Sequence, residues 1–460
     1  MGLYGAAGRS MNMVTSAMPT VILVVGVAEM VHILLYAASQ PQAPERRARA
    51  VAVIGHMLRP CLLNIVTSAI GFAALGTSPL PAVRDLGIFT AAGLLGVVVL
   101  TVLGSAFALV SPRREPQPGG HRWVRRAAQG LCELGMRRPA LTLAAAALAA
   151  LLAIAAGSRV VVDTYTMEFL SPDHPVRRDS ELIESRLAPY VPMEFLVRPA
   201  DGAARPELLT AIGRWQRAGE RLPGVGWSWS LIDDAAAGMQ LEPPVDAAAA
   251  LRVTFSVRMQ SSKNVDRTMR ELLAEARLPA GAMVQPAGYL PLYVRMIDYV
   301  VESQISGFAF AFIAVFGVIA LAFRSARIAA LAVPSNLLPL LVIFGAMGIA
   351  GIRLDAATVT IATVVLGLIV DDTVHFLHCL RAELGRHDDP AAALRATVGS
   401  AGHAVLITAL VMTLGFSVFA LSEIKSLVHF GLLIALAMAT SVLTDLVLIP
   451  ALVMLRRRPC

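Results

Sequence analysis

The chain reads as a polytopic α-helical membrane protein, with about nine transmembrane helices in two pseudo-repeats and one α+β external domain. Three observations carry this reading. The composition is 56% hydrophobic and only 15% charged, with a mean hydropathy of +0.67, whereas soluble domains carry about 25% charged residues. About nine stretches reach the roughly 20 apolar residues that cross about 30 Å of hydrocarbon. A single polar interruption, residues 159–303, divides them.

The apolar stretches are 12–37, 60–77, 86–111, 140–158, 304–323, 328–350, 356–379, 404–422 and 427–454. Leu86 to Pro112 contains no charged residue, and Pro334 and Pro339 fall inside one stretch. A membrane helix tolerates such prolines where neighbours satisfy the freed backbone groups. Arginine sets the orientation. One set of alternate connections holds Arg46, Arg47, Arg49, Arg59, Arg113, Arg114, Arg122, Arg125, Arg126, Arg137 and Arg138. It continues with Arg324, Arg327, Arg381, Arg386, Arg395 and Arg456 to Arg458, while the opposite short connections hold only Arg9, Arg84, Arg353 and Lys425. The positive-inside rule makes the arginine-rich side cytoplasmic. The net charge of +7 therefore reads as topology, and no nucleic-acid partner is expected. Cys61, Cys132, Cys379 and Cys460 all fall near that side, so no disulfide framework is implied.

Within the stretch V-V-L-G-L-I-V-D-D-T-V-H-F-L, Val364 to Leu377, sits an acidic pair, Asp371 and Asp372. A carboxylate at mid-membrane costs roughly 2.5–3.5 kcal/mol on insertion scales, which makes it a functional group by default. A second copy exists. Ile22 to Leu34 read I-L-V-V-G-V-A-E-M-V-H-I-L, placing Glu29 on Asp372 and His32 on His375 at an offset of 343. At an offset of 344, Gly71-Phe72 falls on Gly415-Phe416 and Leu86-Gly87 on Phe430-Gly431. Parallel repeats about an axis along the membrane normal are a transporter architecture. The expected organisation is residues 1–111 as the last three helices of a first membrane repeat, 112–139 as a cytoplasmic linker and 140–158 as the first helix of a second repeat. The external α+β domain then takes 159–303, five helices take 304–455, and 456–460 is a basic cytoplasmic tail.

The external segment alternates in a readable way. Strands are expected at Met193 to Arg198, Val225 to Ile232, Ala250 to Met259 and Ala282 to Tyr289, with helices at Pro206 to Arg221 and Asn264 to Arg277. That βαββαβ order predicts a ferredoxin-like module. An extended lead-in, Arg159 to Phe169, and a helix around Arg177 to Leu187 precede it. Trp215, Trp227 and Trp229 are expected in its core, with substrate lining as the competing role.

On a helix, Asp371, Asp372 and His375 share one face, and Glu29 and His32 repeat the three-residue step. If the repeats pack about a pseudo-twofold axis, Glu29 would face the aspartates across the bundle centre, and acids so close titrate as a unit. That suits a site protonated from one side and deprotonated to the other. A purely structural role, holding the halves together, is the competing reading. His32 and His375 are either proton carriers, from their near-neutral titration, or interhelical hydrogen-bonders. Glu-x-x-His on paired helices also resembles carboxylate-bridged metal bundles, but those need two further glutamates. No metal and no cofactor is expected. Asp445, inside the last stretch, is a relay candidate whose competing role is pairing with a neighbour. Asn64, Thr67, Thr408 and Thr413, on the spans after the acidic helices, are relay candidates or packing residues.

The stretch G-L-I-V-D-D-T-V-H-F, Gly367 to Phe376, with A-F-R-S (Ala322 to Ser325), P-S-N-L-L-P (Pro334 to Pro339) and D-L-V-L-I-P-A-L (Asp445 to Leu452), resembles the resistance-nodulation-division (RND) superfamily. So does V-E-S-Q-I-S, Val301 to Ser306. Within the superfamily the chain is similar to the group of mycobacterial membrane protein large (MMPL) exporters and hopanoid exporters. The resemblance implies a multi-pass protein of the bacterial inner membrane, not an enzyme, that exports a hydrophobic or amphipathic, lipid-like substrate at the expense of the proton-motive force. It makes the external segment a porter-like domain, and leaves room for a homo-oligomer or a periplasmic partner protein. Two departures stand out. The first copy has Ala28-Glu29 where the second has Asp371-Asp372. The first three helices and first external domain of a full-length member are missing, so Met1 is expected to be an internal methionine. The competing readings are a non-transporting sensor of sterol-like lipid and an inactive fragment of a transporter.

Overall fold

The computed structural model describes residues 1–40, 46–111, 122–199, 205–236, 250–355 and 358–455. Arg113, Arg114, Arg456 to Arg458, Cys460 and part of the expected linker fall outside the described residues. The chain divides into two compact units: 1–161 with 300–422 and 426–460, and 162–299 with 423–425.

The first unit opens with the short helix α1 (Gly2–Ala6), then α2 (Met18–Ser39), α3 (Arg46–Ala74), α4 (Pro81–Val110), α5 (Arg122–Arg137) and α6 (Pro139–Gly157). It resumes at residue 300, after the second unit. Prolines at the first turns of α2, α4 and α6 start those helices, where the missing N–H is not needed. Helix α3 begins fourteen residues ahead of the expected span. Its first turns, R-R-A-R-A, lie beyond the apolar stretch and continue the helix because nothing in them breaks it. Helix α5 is amphipathic and buries Val124, Ala128, Cys132 and Met136 on one face.

The second unit contains α7 (Pro175–Arg186), β1 (Val191–Arg198), α8 (Pro206–Gly219), β2 (Val225–Ser230), α9 (Leu231–Ala236), β3 (Leu251–Val257), α10 (Ser262–Glu275) and β4 (Met283–Ala287). The four strands form one antiparallel sheet in the order β2-β3-β1-β4. Alternation along β1 and β3 buries Met193, Phe195, Val197, Val253, Phe255 and Val257, the period-2 pattern of a strand with one covered face. Leu208, Ile212 and Trp215 of α8 and Val265 and Leu272 of α10 complete that core. Trp215 packs edge-on against Phe195 and Phe255, and its indole N–H donates to the Leu272 carbonyl at 2.7 Å. Tyr293 donates to the Thr164 carbonyl, and burial pushes its phenol up to about 12.

Trp227 and Trp229 correct the expectation. They do share a face of β2, but it is the exposed one, at 48% and 43%. The inward positions of β2 are Ser228 and Ser230, held by Gln216, Glu220 and Asp233. A polar network at the sheet edge thus takes the place a tryptophan core would have filled.

The remaining helices are α11 (Tyr289–Phe323), α12 (Ala326–Ala350), α13 (Ile361–Leu384), α14 (Pro390–Thr397), α15 (His403–Ser417), α16 (Lys425–Leu443) and α17 (Ile449–Leu455). Single π-helical turns, Val398–Gly402 and Thr444–Leu448, precede α15 and α17. Among the described residues nine helical segments are long and apolar enough to span a membrane. The most apolar window of α13 is entirely buried, so α13 is the central helix of this unit. It packs on α3 and α12, while α2 packs on α4 and α15.

Arg395 of α14 donates to Glu133 of α5 at 2.8 Å, which holds the Glu133 carboxyl below the usual range. Two stability predictions follow from these contacts. Trp215→Ala should cost about 3–5 kcal/mol in the second unit, and Trp227→Ala less than about 0.5 kcal/mol, measured by denaturant unfolding of the purified protein. Because Glu133 is depressed, its contribution exists at neutral pH and vanishes as pH falls through its lowered value. Glu133→Gln should therefore lower the melting temperature slightly at pH 7 and leave it unchanged in acid.

Candidate functional site

The site begins with glycines that let helices touch. A Cβ added to Gly71 of α3 would lie 2.7 Å from the Cα of Gly367 of α13, and Ser68 donates to the Gly367 carbonyl at 2.7 Å. Gly415 of α15 meets α2 in the same way, where a Cβ would come within 2.8 Å of Val24. Gly71 and Gly415 are related by the 344-residue offset, Val24 and Gly367 by the 343-residue offset. One contact is thus built twice. A third pair agrees: Cβ atoms on Gly87 and Gly431 would meet the carbonyls of Phe72 and Phe416 at 2.5 and 2.6 Å.

One turn beyond these contacts lie the ionisable side chains. Asn64 of α3 donates to Glu29 of α2. Thr408 of α15 donates to Asp372 of α13 at 2.7 Å. These bonds are again equivalents, since Asn64 and Thr408 stand 344 residues apart. Each acid is therefore held by the next helix of its own copy. The histidines cross between copies. His32 Nε2 lies 3.4 Å from Asp372 Oδ1, and His375 groups with Glu29 and Cys61, donor atoms within 4.8 Å of one another. The two imidazoles stack at 4.2 Å with an interplanar angle of 15°. Asp371 has no first-copy equivalent, because Ala28 stands there; its Oδ1 lies 3.8 Å from His375 Nε2. The spacing on α13 placed both aspartates beside His375, but Asp372 turns to His32 and Thr408. Glu29, His32, Asp371, Asp372 and His375 are all buried.

The other sequence candidates divide. Asn64 and Thr408 touch the acids. Thr67 instead donates to the Asn64 carbonyl at 2.7 Å. Thr413 lies half-buried, five residues past Thr408, its carbonyl accepting from Ser417. Asp445 is fully buried in the second π-helical turn and accepts from Thr373 at 2.8 Å. Thr373 in turn receives Asn336 of α12 at 3.2 Å. Asp445 is thus linked to α13 through the residue next to Asp372.

Several site residues had no signal in spacing alone. Cys61, Thr373 and Asn336 gain their positions only from helix packing. Tyr36 and His378 could have been found by extending the stripe, since Glu29, His32 and Tyr36 lie at i, i+3 and i+7 of one face of α2 and Asp371, His375 and His378 at i, i+4 and i+7 of α13, whereas His56 comes from α3. With Cys379 and the two stacked histidines they line a cavity of about 100 Å³. Its lining falls into offset-related pairs, His32 with His375, Tyr36 with Cys379 and His56 with Ser400, so the cavity lies where the two copies meet. Tyr36 and His56 stack at 4.7 Å.

A cation could also be held here. Glu29, Cys61 and His375 form one grouping of donors, and His32, Asp371 and His375 another. Mixed imidazole, carboxylate and thiolate sets suit divalent transition metals.

The fold and this cluster define a multi-pass membrane protein with ionisable groups buried between two related helix sets. Residues 234–458 match the MMPL family, and residues 1–111 match the sterol-sensing domain of SREBP cleavage-activation. A membrane protein of Methanocaldococcus jannaschii is 27% identical over 197 residues, covering 41% of this chain and 49% of that protein. The match thus spans about half the length of that relative. These matches support an RND/MMPL-type, transporter-like protein.

The glycine contact is testable. Gly71→Leu should force α3 off α13 and cost at least about 1–3 kcal/mol by overpacking. Gly96→Leu, which meets open space, should leave the melting temperature in detergent within a degree or two.

Proposed function

We propose that the protein exports a hydrophobic or amphipathic, lipid-like molecule out of a bacterial inner membrane, driven by protons that pass through Glu29, Asp371 and Asp372. The observation that carries this reading is the excess of acid. Three carboxylates and two imidazoles share one buried cluster, so even with both histidines charged the cluster stays anionic unless it binds a further proton or cation. A cluster that needs a proton for neutrality has two charge states to couple to motion. One proton crossing about 100 mV supplies about 2.3 kcal/mol, enough to bias a conformational equilibrium.

The arginine-rich ends of the helices are cytoplasmic in this reading. The cavity of His32, Tyr36, His56, His375 and His378 then runs from the acids toward the cytoplasmic ends of α2 and α13. It is wide enough for a few waters, and imidazole is suited to passing protons near neutral pH. Residues 162–299 form a periplasmic, porter-like domain that receives or gates substrate. Its element order and its strand order, β2-β3-β1-β4, support a ferredoxin-like assignment. Rocking of one helix set against the other about the shared cluster is the expected motion. His32 and His375, each reaching into the other copy, are the contacts such rocking would break and remake.

A second reading is favoured by the match of residues 1–111 to a sterol-sensing domain: a membrane sensor that binds a sterol-like lipid and moves nothing. The two readings part at one substitution. Asp372→Asn should abolish proton-coupled substrate movement in proteoliposomes, and Thr408→Val should slow it roughly tenfold through loss of a hydrogen bond to a charged group. Transport that persists in Asp372→Asn, or that ignores collapse of the proton gradient, would overturn the exporter reading. Lipid binding unaffected by the same substitution, without transport in the parent protein, would favour the sensor.

A further inference from the structure

A second concavity, of about 630 Å³, lies between the middle of α3 and the C-terminal ends of α11 and α13. Its wall carries Arg59 of α3 together with Arg381 and Arg386 at the end of α13, and His378 shares it with the cavity above the acids. The rest of the wall is apolar, with Pro60, Leu63, Phe323 and Val374. We infer that this concavity binds the headgroup of an anionic phospholipid, phosphate against the arginines and acyl chain against the apolar wall.

Arginines at the cytoplasmic ends of membrane helices are ordinary, and most serve only orientation. Three features set this group apart. The guanidinium groups come from two helices distant in sequence yet line one recess. Arg381 is fixed before any ligand arrives, since it donates to the Phe323 carbonyl at the end of α11. That carbonyl is a helix-end acceptor which needs a partner, and the chain leaves α11 through Arg324 in the left-handed region. Arg381 retains further N–H donors for an oxyanion. Arg386 is partly offset by Glu383 at 3.0 Å, so the recess carries a surplus of about two positive charges, enough to neutralise the single charge of a phosphodiester with bidentate arginine contacts.

The apolar wall decides the source of the phosphate. A free phosphate or a soluble nucleotide makes no use of Leu63, Phe323 and Val374, whereas a lipid lays its first methylenes against them by van der Waals packing. The volume lies in the range of small-molecule sites, about 300–1,000 Å³, which holds a headgroup and the start of a chain. Basic pockets between membrane helices on the cytoplasmic side bind such headgroups. The inference requires only that the helices sit in a bilayer, so it stands or falls independently of proton coupling.

The test is native mass spectrometry of the purified protein titrated with phosphatidylglycerol or phosphatidylcholine. The parent should retain phosphatidylglycerol at least tenfold more tightly. Arg59→Gln and Arg381→Gln should each reduce that preference several-fold, and the pair should abolish it. Arg59 lies exposed, so Arg59→Gln keeps the test valid if loss of the Phe323 contact unfolds Arg381→Gln. Arg125→Gln, exposed on α5, controls for general charge and should leave the preference intact. Equal retention of both lipids, an effect of Arg125→Gln as large as that of Arg59→Gln, or displacement of the lipid by millimolar inorganic phosphate would each overturn the assignment.

Discussion

Everything in the membrane unit follows from one constraint: carboxylates placed where no water reaches must find their partners inside the protein. The chain meets it by crossing two copies of one helix set. Each acid takes a hydrogen bond from the following helix of its own copy, Asn64 to Glu29 and Thr408 to Asp372, and a histidine from the other copy. Neither half holds a complete site. The glycines at Gly71, Gly367 and Gly415 serve this arrangement, because a histidine can reach across only if the backbones of α3 and α13, and of α15 and α2, approach to contact distance.

The scaffold is symmetric and its chemistry is not. The 344-residue offset that superposes Gly71 on Gly415 and Phe72 on Phe416 also superposes His56 on Ser400 and Cys61 on Val405, and the 343-residue offset of α2 and α13 superposes Ala28 on Asp371 and Tyr36 on Cys379. The second copy supplies the extra acid; the first supplies the extra polar groups of the cavity that leads away from it. Asp371 Oδ1 is buried and has no hydrogen-bond partner among the described residues. His375, 3.8 Å away, is the group best placed to answer a change in its charge. A site with identical halves would have no such preferred direction.

Much of this was legible in the sequence because the membrane imposes strong local rules. Apolar length placed the helical segments, and a repeated acid-to-histidine step revealed the related pair α2 and α13 before any contact was known. The shift of offset from 343 to 344 between α2 and α3 is a one-residue difference in connection length. What sequence spacing could not show was partner choice. Asp372 is three residues from His375 and equally able to reach it, but packing of α2 against α15 delivers His32 instead. Cys61 comes to Glu29 only through the crossing of α3. Trp227 and Trp229 share a strand face, yet which face is covered depends on Gln216 and Asp233 holding the serines inward. The start of α11 at Tyr289 lay outside the apolar window because helix continues through residues that no hydropathy average selects.

The competing structural role for the acids can be weighed on stoichiometry. Interhelical hydrogen bonding in membranes contributes modestly, about 0.6 kcal/mol on average in measured cycles, while a buried acid costs roughly 2.5–3.5 kcal/mol on insertion scales. Adhesion would be served as well by amides and hydroxyls, and this protein uses them: Ser68 on Gly367, Thr444 on the Ser335 carbonyl and Asn336 on Thr373 already tie the helices together at low cost. Against that background Glu29, Asp371 and Asp372 stand out, because two histidines cannot balance three ionised carboxylates. An unmatched acid weakens the packing of the state that ionises it and relaxes in the state that protonates it. Asp445 is tied to the same region, since Thr373, which donates to it, is the residue next to Asp372.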